Sequence, residues 1–263
     1  MTIKDIMSCI TDEAPLFWQE DYDNAGLQIG DLNAETRRAL ITLDVTEEVV
    51  AEAVAKNCDL IISHHPLLFH GLKHITPQTA TERIVMAAIK NDIAIFSMHT
   101  NLDNYYRGVS YRLAEKLGLK NLVLLQPNVL DPECCGAGMV GEFEQPFSEH
   151  DFLHLVADCL VTPCLRHSAL TGRPIRKVAL CGGSGSPFLP DALNHHVDAY
   201  LTADIKYHDF FAPPDILLVD GGHFETEQFT KQLIRDMIKK KFPTFAAEIT
   251  DINTNAVHYY WNY

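Results

Sequence analysis

Three short apolar runs, Ala39–Val45 (ALITLDV), Asp59–Ser63 (DLIIS) and Ile93–Met98 (IAIFSM), each run out into polar residues that lead on to a stretch of helical periodicity. Runs this short and this apolar suit strands buried by flanking helices, which makes the chain an α/β protein. The first leads to a helix over Glu47–Lys56, with Thr46 as N-cap and acids in its first turn. The other two lead to helices over Thr79–Asn91 and Gly108–Leu117, the latter ended by Gly118. The rest of the chain repeats the style. It has expected strands at Met139–Phe143, Lys177–Cys181, Ala199–Thr202 and Ile216–Asp220, and helices at Ser148–Leu160 and Thr226–Lys240. Gln126–Gly138, with Pro127, Pro132, Gly136 and Gly138, is the best candidate for a boundary, dividing the chain into residues 1–126 and 127–263. Both halves place a strand ending in acids and histidines before a helix, as an old duplication would leave them, although no exact repeat is present.

With 47% apolar residues over 263, the chain can bury a sizeable core as one large domain or two small ones. Thirty-five carboxylates against 21 Lys and Arg give a net charge of −14, so the protein as a whole repels a phosphate backbone and nucleic acid is not an expected partner. The densest basic cluster, Lys239–Lys241, falls at an expected helix end, where the helix dipole favours cations. Seven cysteines, an odd number without a CxxC pair, read as reduced thiols rather than a disulfide framework or a zinc cluster. The N-terminal stretch lacks a signal peptide's apolar segment, and no apolar run approaches the roughly 20 residues needed to cross a bilayer. A cytoplasmic protein with no membrane partner is the expectation. The oddity in so acidic a chain is its 13 histidines.

The informative histidines stand at strand ends. His64-His65-Pro66 follows DLIIS, and the proline turns the chain away from regular pairing. Neighbouring residues within a strand point to opposite faces, but beyond its end the two imidazoles can reach two separate ions. His99-Thr-Asn-Leu-Asp103 closes the third run in the same way, and if the two strands are parallel neighbours these groups converge on one crevice. Gly221-Gly-His223-Phe-Glu-Thr-Glu227 ends a later strand, and on a first helical turn His223 and Glu227 share a face while Glu225 falls off it. Core or rim histidines and helix-starting acids would explain each segment alone. Together, imidazole and carboxylate without thiolate suit Zn, Fe, Mn or Co, and they make a candidate dinuclear metal site.

Two further segments carry chemistry. Asp204-Ile-Lys-Tyr-His208, after Ala199–Thr202, offers a carboxylate and an imidazole that could orient metal ligands or act as general acid or base; ordinary surface polarity fits equally. Cys181-Gly182-Gly183-Ser184-Gly185-Ser186 could be a backbone nest for a phosphate or a simple Gly-rich turn. It lacks the lysine of a Walker A loop and the spacing of a dinucleotide fingerprint.

Across these residues the chain resembles the GTP cyclohydrolase I type 2 homologue, or Nif-three-like, family. The resemblance runs from Asp23-Asn-Ala-Gly26-Leu-Gln-Ile-Gly30 through SHHP, HTNLD and CGGSGS to TADIKYHD and GGHFETE, essentially the whole chain. It implies two similar intertwined α/β halves with mixed sheets, and two divalent metal ions held by His64, His65, Asp103, His223 and Glu227, with Asp103 and Glu227 as the bridges. It places His99 and His208 close to the metals, with Asp204 a further candidate catalytic or positioning group, and for the triphosphate of the implied substrate Gly182, Gly183, Ser184 and Gly185 are the local candidates as donors. It also implies a homohexamer, a trimer of dimers. Relatives often read Thr-Gly-Glu where this chain reads Thr202-Ala-Asp204, a shorter acid. The activity implied is hydrolytic opening of the guanine imidazole ring of GTP. A metal-dependent nucleotide phosphohydrolase or phosphodiesterase, and a non-catalytic metal-binding interaction protein, are the alternatives.

Overall fold

Residues 1–129, 131–211 and 215–260 are described in the structure, a computed structural model. Its strands are β1 (Gly26–Ile29), β2 (Arg38–Thr42), β3 (Leu60–Ser63), β4 (Ala94–Ser97), β5 (Lys120–Pro127), β6 (Gly136–Phe147), β7 (Arg166–His167), β8 (Ile175–Leu180), β9 (Ala199–Thr202), β10 (Leu217–Asp220) and β11 (Ala246–Ile249). They form two mixed sheets, and the chain divides into two compact units: Met1–Leu102 with the chain from Lys231 on, and Asp103–Thr230.

The first unit holds the sheet β1-β4-β3-β2-β11, in which β4, β3, β2 and β11 are parallel and β1 is antiparallel to β4. Thr42, Ser63 and Ser97 lie side by side in register, so β2, β3 and β4 end together at their carboxyl ends. On one face Leu40, Ile61 and Ile95 pack with Val49, Val50 and Ala53 of the helix Glu47–Ala55 and with Ile84 and Ala88 of the helix Ala80–Lys90. Both helices start as their sequences require. Thr46 accepts from the Val49 N–H, and Thr79 with Glu82 forms a reciprocal capping box.

The second unit holds the sheet β5-β6-β8-β9-β10-β7, with β8, β9 and β10 parallel and the outer pairs antiparallel. Alternate residues of its strands serve two cores. Val178, Leu180, Leu201, Leu217 and Val219 pack with helices Val109–Leu117 and Glu149–Leu160, while Ala179, Tyr200 and Leu218 face Ala192 and Val197.

Two expectations need correction. The Pro- and Gly-bearing stretch Gln126–Gly138 is no boundary between the units; its two ends belong to the paired strands β5 and β6, with Gln126 opposite Ala137 and Pro127 opposite Gly136. The units divide at Leu102/Asp103 and again at Thr230/Lys231, because β11 returns to pair with β2. The single helix expected over Thr226–Lys240 is two, His223–Glu227 and Thr230–Lys241. Packing separates them: Gln228 Nε2 donates to the Leu160 carbonyl at 3.0 Å, and Phe229 is drawn into the core under the Lys116 ammonium, 4.3 Å from its ring centre. Among the described residues no helix is long and apolar enough to cross a membrane.

Candidate metal centre

In the first unit the aligned ends of β3 and β4 bring three imidazoles together. His64 is buried, and its Nδ1 donates to the Met98 carbonyl at 2.7 Å. A carbonyl only accepts, so Nδ1 holds the proton and Nε2 holds the lone pair that a metal ion takes. His65 Nδ1 donates to Asp44 Oδ1 at 2.7 Å, and the other oxygen of Asp44 accepts from the Thr254 hydroxyl at 2.8 Å. His99 Nδ1 donates to Asp23 Oδ1 at 2.6 Å, and Asp23 also accepts from the N–H and hydroxyl of Thr100. Ring centroids lie 4.9 Å (His64–His65), 5.3 Å (His64–His99) and 5.4 Å (His65–His99) apart. The opposite-face problem of adjacent strand residues does not arise. Both histidines lie past the strand, where their N–H groups converge on the Leu43 carbonyl at 3.1 and 3.0 Å.

The supporting acids are held ionised. Burial pushes the Asp23 carboxyl up, but hydrogen bonds from His99, Thr100 and Asn24 outweigh it and bring it down to about 2. Asp44 behaves likewise: burial raises it, while bonds from His65 and Thr254 hold it below the ordinary value. Neither acid was singled out as a site residue in the sequence. Asp23 stood there only within the DNAGLQIG segment, and Asp44 only as the polar residue near the end of ALITLDV.

In the second unit β8, β9 and β10 also end together, and the loops after them carry the remaining groups. Gly222, at φ +87°, turns the chain from β10 into the helix His223–Glu227, which sets His223 Nε2 3.1 Å from Glu227 Oε2. His223 Nδ1 donates to Asp204 Oδ2 at 2.7 Å. The shortened acid therefore still reaches its histidine, from a left-handed backbone at φ +54°. Beside it Asp220 is buried and accepts from Arg166 and from the Ile205 and Gly222 N–H groups. Asp103, which ends the short helix Thr100–Asp103, faces the same region as Glu227. The Cys181 thiol is pushed up to about 12, by burial first and then by the charges of Asp103 and Glu227.

The glycine loop turns its donors inward. Gly182 N–H bonds the Ser110 hydroxyl, Gly183 N–H the Thr226 hydroxyl and Gly185 N–H the Thr202 hydroxyl, while Ser184 is exposed. These three donors bond hydroxyls of the protein itself. A Cβ on Gly183, at φ +63°, would lie 2.0 Å from Glu227 Oε1, so this glycine makes room for that carboxylate. His208 stands on the exposed turn Tyr207–Phe211, its ring contacts being Tyr207 and Phe211.

The first sheet thus ends in three imidazoles and the second in one, His223, whose Nδ1 atoms are held by oxygen acceptors, a donor set that fits borderline divalent cations. This defines an α/β protein with two mixed sheets and histidine–carboxylate groups able to hold metal. The Duf34/NIF3 (NGG1p interacting factor 3) family description matches residues 1–256, and the chain belongs to that family. A GTP cyclohydrolase 1 type 2 homolog of Clostridium perfringens is 33% identical over 243 residues, 92% of each chain. One from Clostridium acetobutylicum is 34% identical over 229 residues, 86% of this chain and 85% of that one. Among solved structures, the Bacillus cereus protein related to NIF3 matches with a TM-score of 0.92 at 25% identity, covering 99% of both chains.

Proposed function

We propose that this protein is a metal-dependent hydrolase whose two divalent ions take their ligands from His64 and His65 of the first unit and from Asp103, His223 and Glu227 of the second. The observation that carries the reading is that His64, His65 and His223 each have Nδ1 committed to an oxygen acceptor, which presents Nε2 as the ligand atom. Two bound ions would lower the pKa of water and polarise an electrophile beside it. The protein's own groups have separate tasks. Asp44 and Asp204 fix the rings of His65 and His223, and His99, fixed by Asp23, offers Nε2 as a proton carrier. His208, on the exposed turn Tyr207–Phe211, is a second candidate for moving protons.

The relatives' name, GTP cyclohydrolase 1 type 2 homolog, supports opening of the guanine imidazole ring of GTP as the reaction. The homohexamer belongs to the same proposal, and light scattering reads it directly. The centre is tested by elemental analysis of protein purified without chelator or affinity tag. About two metal equivalents per chain are expected, falling in His223→Ala, and less than one in the native protein would overturn the site. Metal-loaded protein is then given GTP and the products identified. A ring-opened purine supports the reaction, whereas free phosphate with the base intact moves the chemistry to phosphorus.

A further inference from the structure

The segment Asp23–Gly30 contains none of the proposed metal ligands, yet its side chains grip two of the loops that leave the first sheet. Asp23 holds His99. Asn24 Nδ2 donates to the Leu68 carbonyl at 2.7 Å, and Gln28 Oε1 accepts from the Leu68 N–H at 3.1 Å, so both backbone polar groups of Leu68 are taken. Gln28 Nε2 also donates to the Asn24 carbonyl at 2.6 Å, which ties the two clamps together. The loop held in this way presents Phe69, whose side chain is 40% exposed. Its ring centre lies 6.3 Å from that of His99 and 6.4 Å from that of Tyr22, itself 67% exposed. Phe69 is therefore a partly exposed ring beside the His99 imidazole, with Tyr22 next to it. Phe69 cannot turn inward with its loop unless the Asn24 and Gln28 bonds break.

We infer that Phe69, with Tyr22 tilted 53° beside it, offers a stacking surface for a planar heteroaromatic ring of the substrate. This rests on the metal-dependent hydrolase reading and adds a subsite to it. An aromatic face attracts any base through its π surface, so it supplies affinity while the imidazole cluster selects the atom that reacts.

The test is equilibrium titration of the metal-loaded full chain with GTP, ATP, UTP and inorganic tripolyphosphate, with metal content measured on every sample. At least one nucleotide should bind about tenfold tighter than tripolyphosphate, the scale of one base–aromatic stack. Phe69→Ala should erase that advantage and Phe69→Tyr should keep it, with metal content unchanged in both. Tyr22→Ala, at a more exposed ring that is safer for folding, should reduce the advantage about threefold. The stacking face is overturned if no nucleotide outbinds tripolyphosphate, or if the advantage survives Phe69→Ala in protein that retains its metal. Native protein without metal overturns the hydrolase reading, and the subsite falls with it.

Discussion

A histidine is made a metal ligand by what holds its other nitrogen, and for His65 and His223 that work falls to acids outside the proposed ligand set. Asp44 is itself held from both sides, by His65 and by Thr254. Removing such a partner frees the ring to rotate and typically costs 10- to 100-fold in metal affinity. Asp44→Ala and Asp204→Ala should each weaken metal binding by about that factor in a chelator competition, with Thr254→Val losing less. Asp23 supports a different prediction. Its folded value of about 2 lies below the ordinary 3.8, so its contribution to stability is present above about pH 4 and is lost as pH falls toward 2. The gap corresponds to roughly 2 kcal/mol. Denaturant unfolding from neutral pH down to about pH 2.5 should show that loss in the native protein and a flatter acid limb in Asp23→Asn. Imidazoles and acids at strand ends made His64, His65, His99, Asp103, His223 and Glu227 legible in the sequence. Asp23 and Asp44 were not, because their partners lie 76 and 21 residues away and only the sheet register brings them together.

Elements were legible wherever local chemistry decides them. Thr46, Thr79 and Ser148 cap the helices expected to start beside them, and Gly118 ends its helix in the left-handed region at φ +80°. Expectation and structure parted where packing decides. Phe229 and Gln228 interrupt a helix that periodicity alone would continue, and a loop rich in N–H groups turned them to the hydroxyls of Ser110, Thr202 and Thr226. At Gly183 the loop leaves room for the Glu227 carboxylate. Gly183→Ala would force a side chain into Glu227 at a backbone angle that L residues rarely adopt, costing about 1–2 kcal/mol before the carboxylate moves. Metal content should fall in this variant along with Tm. Thr79→Ala provides the contrast. Loss of its capping box should cost about 1 kcal/mol and lower Tm, while metal content stays at the native level because the helix start carries no proposed ligand.

At the scale of the whole chain, the boundary escaped the sequence because punctuation and architecture disagree. Gln126–Gly138 has the prolines and glycines of a linker, but Gly136 is there for a close approach: a Cβ on it would meet the Gln126 carbonyl oxygen at 2.4 Å across the paired strands. The true divisions fall at Leu102/Asp103, inside a short helix, and at Thr230/Lys231, at the start of a longer one, neither of which carries a break signal, and the return of β11 to β2 pairs residues about two hundred apart in sequence. Net charge matters at this scale as well. A chain of −14 that sets acids behind the histidines of each unit places negative charge next to the proposed ligands, so the folded state gains from a bound cation what the unfolded chain cannot. Linkage sets the size. A ligand at 100 times its Kd that binds only folded protein contributes about 2.7 kcal/mol, and for a chain of this length each kcal/mol is roughly 2–4 °C in Tm. Chelator-stripped protein should therefore melt about 5–10 °C lower than metal-loaded protein, recover on adding back the metal, and show a much smaller shift in His223→Ala. If Tm is unmoved by chelator in native protein that elemental analysis shows to contain metal, the ions sit away from the folded core of the site, and the histidine–carboxylate centre is not what holds them.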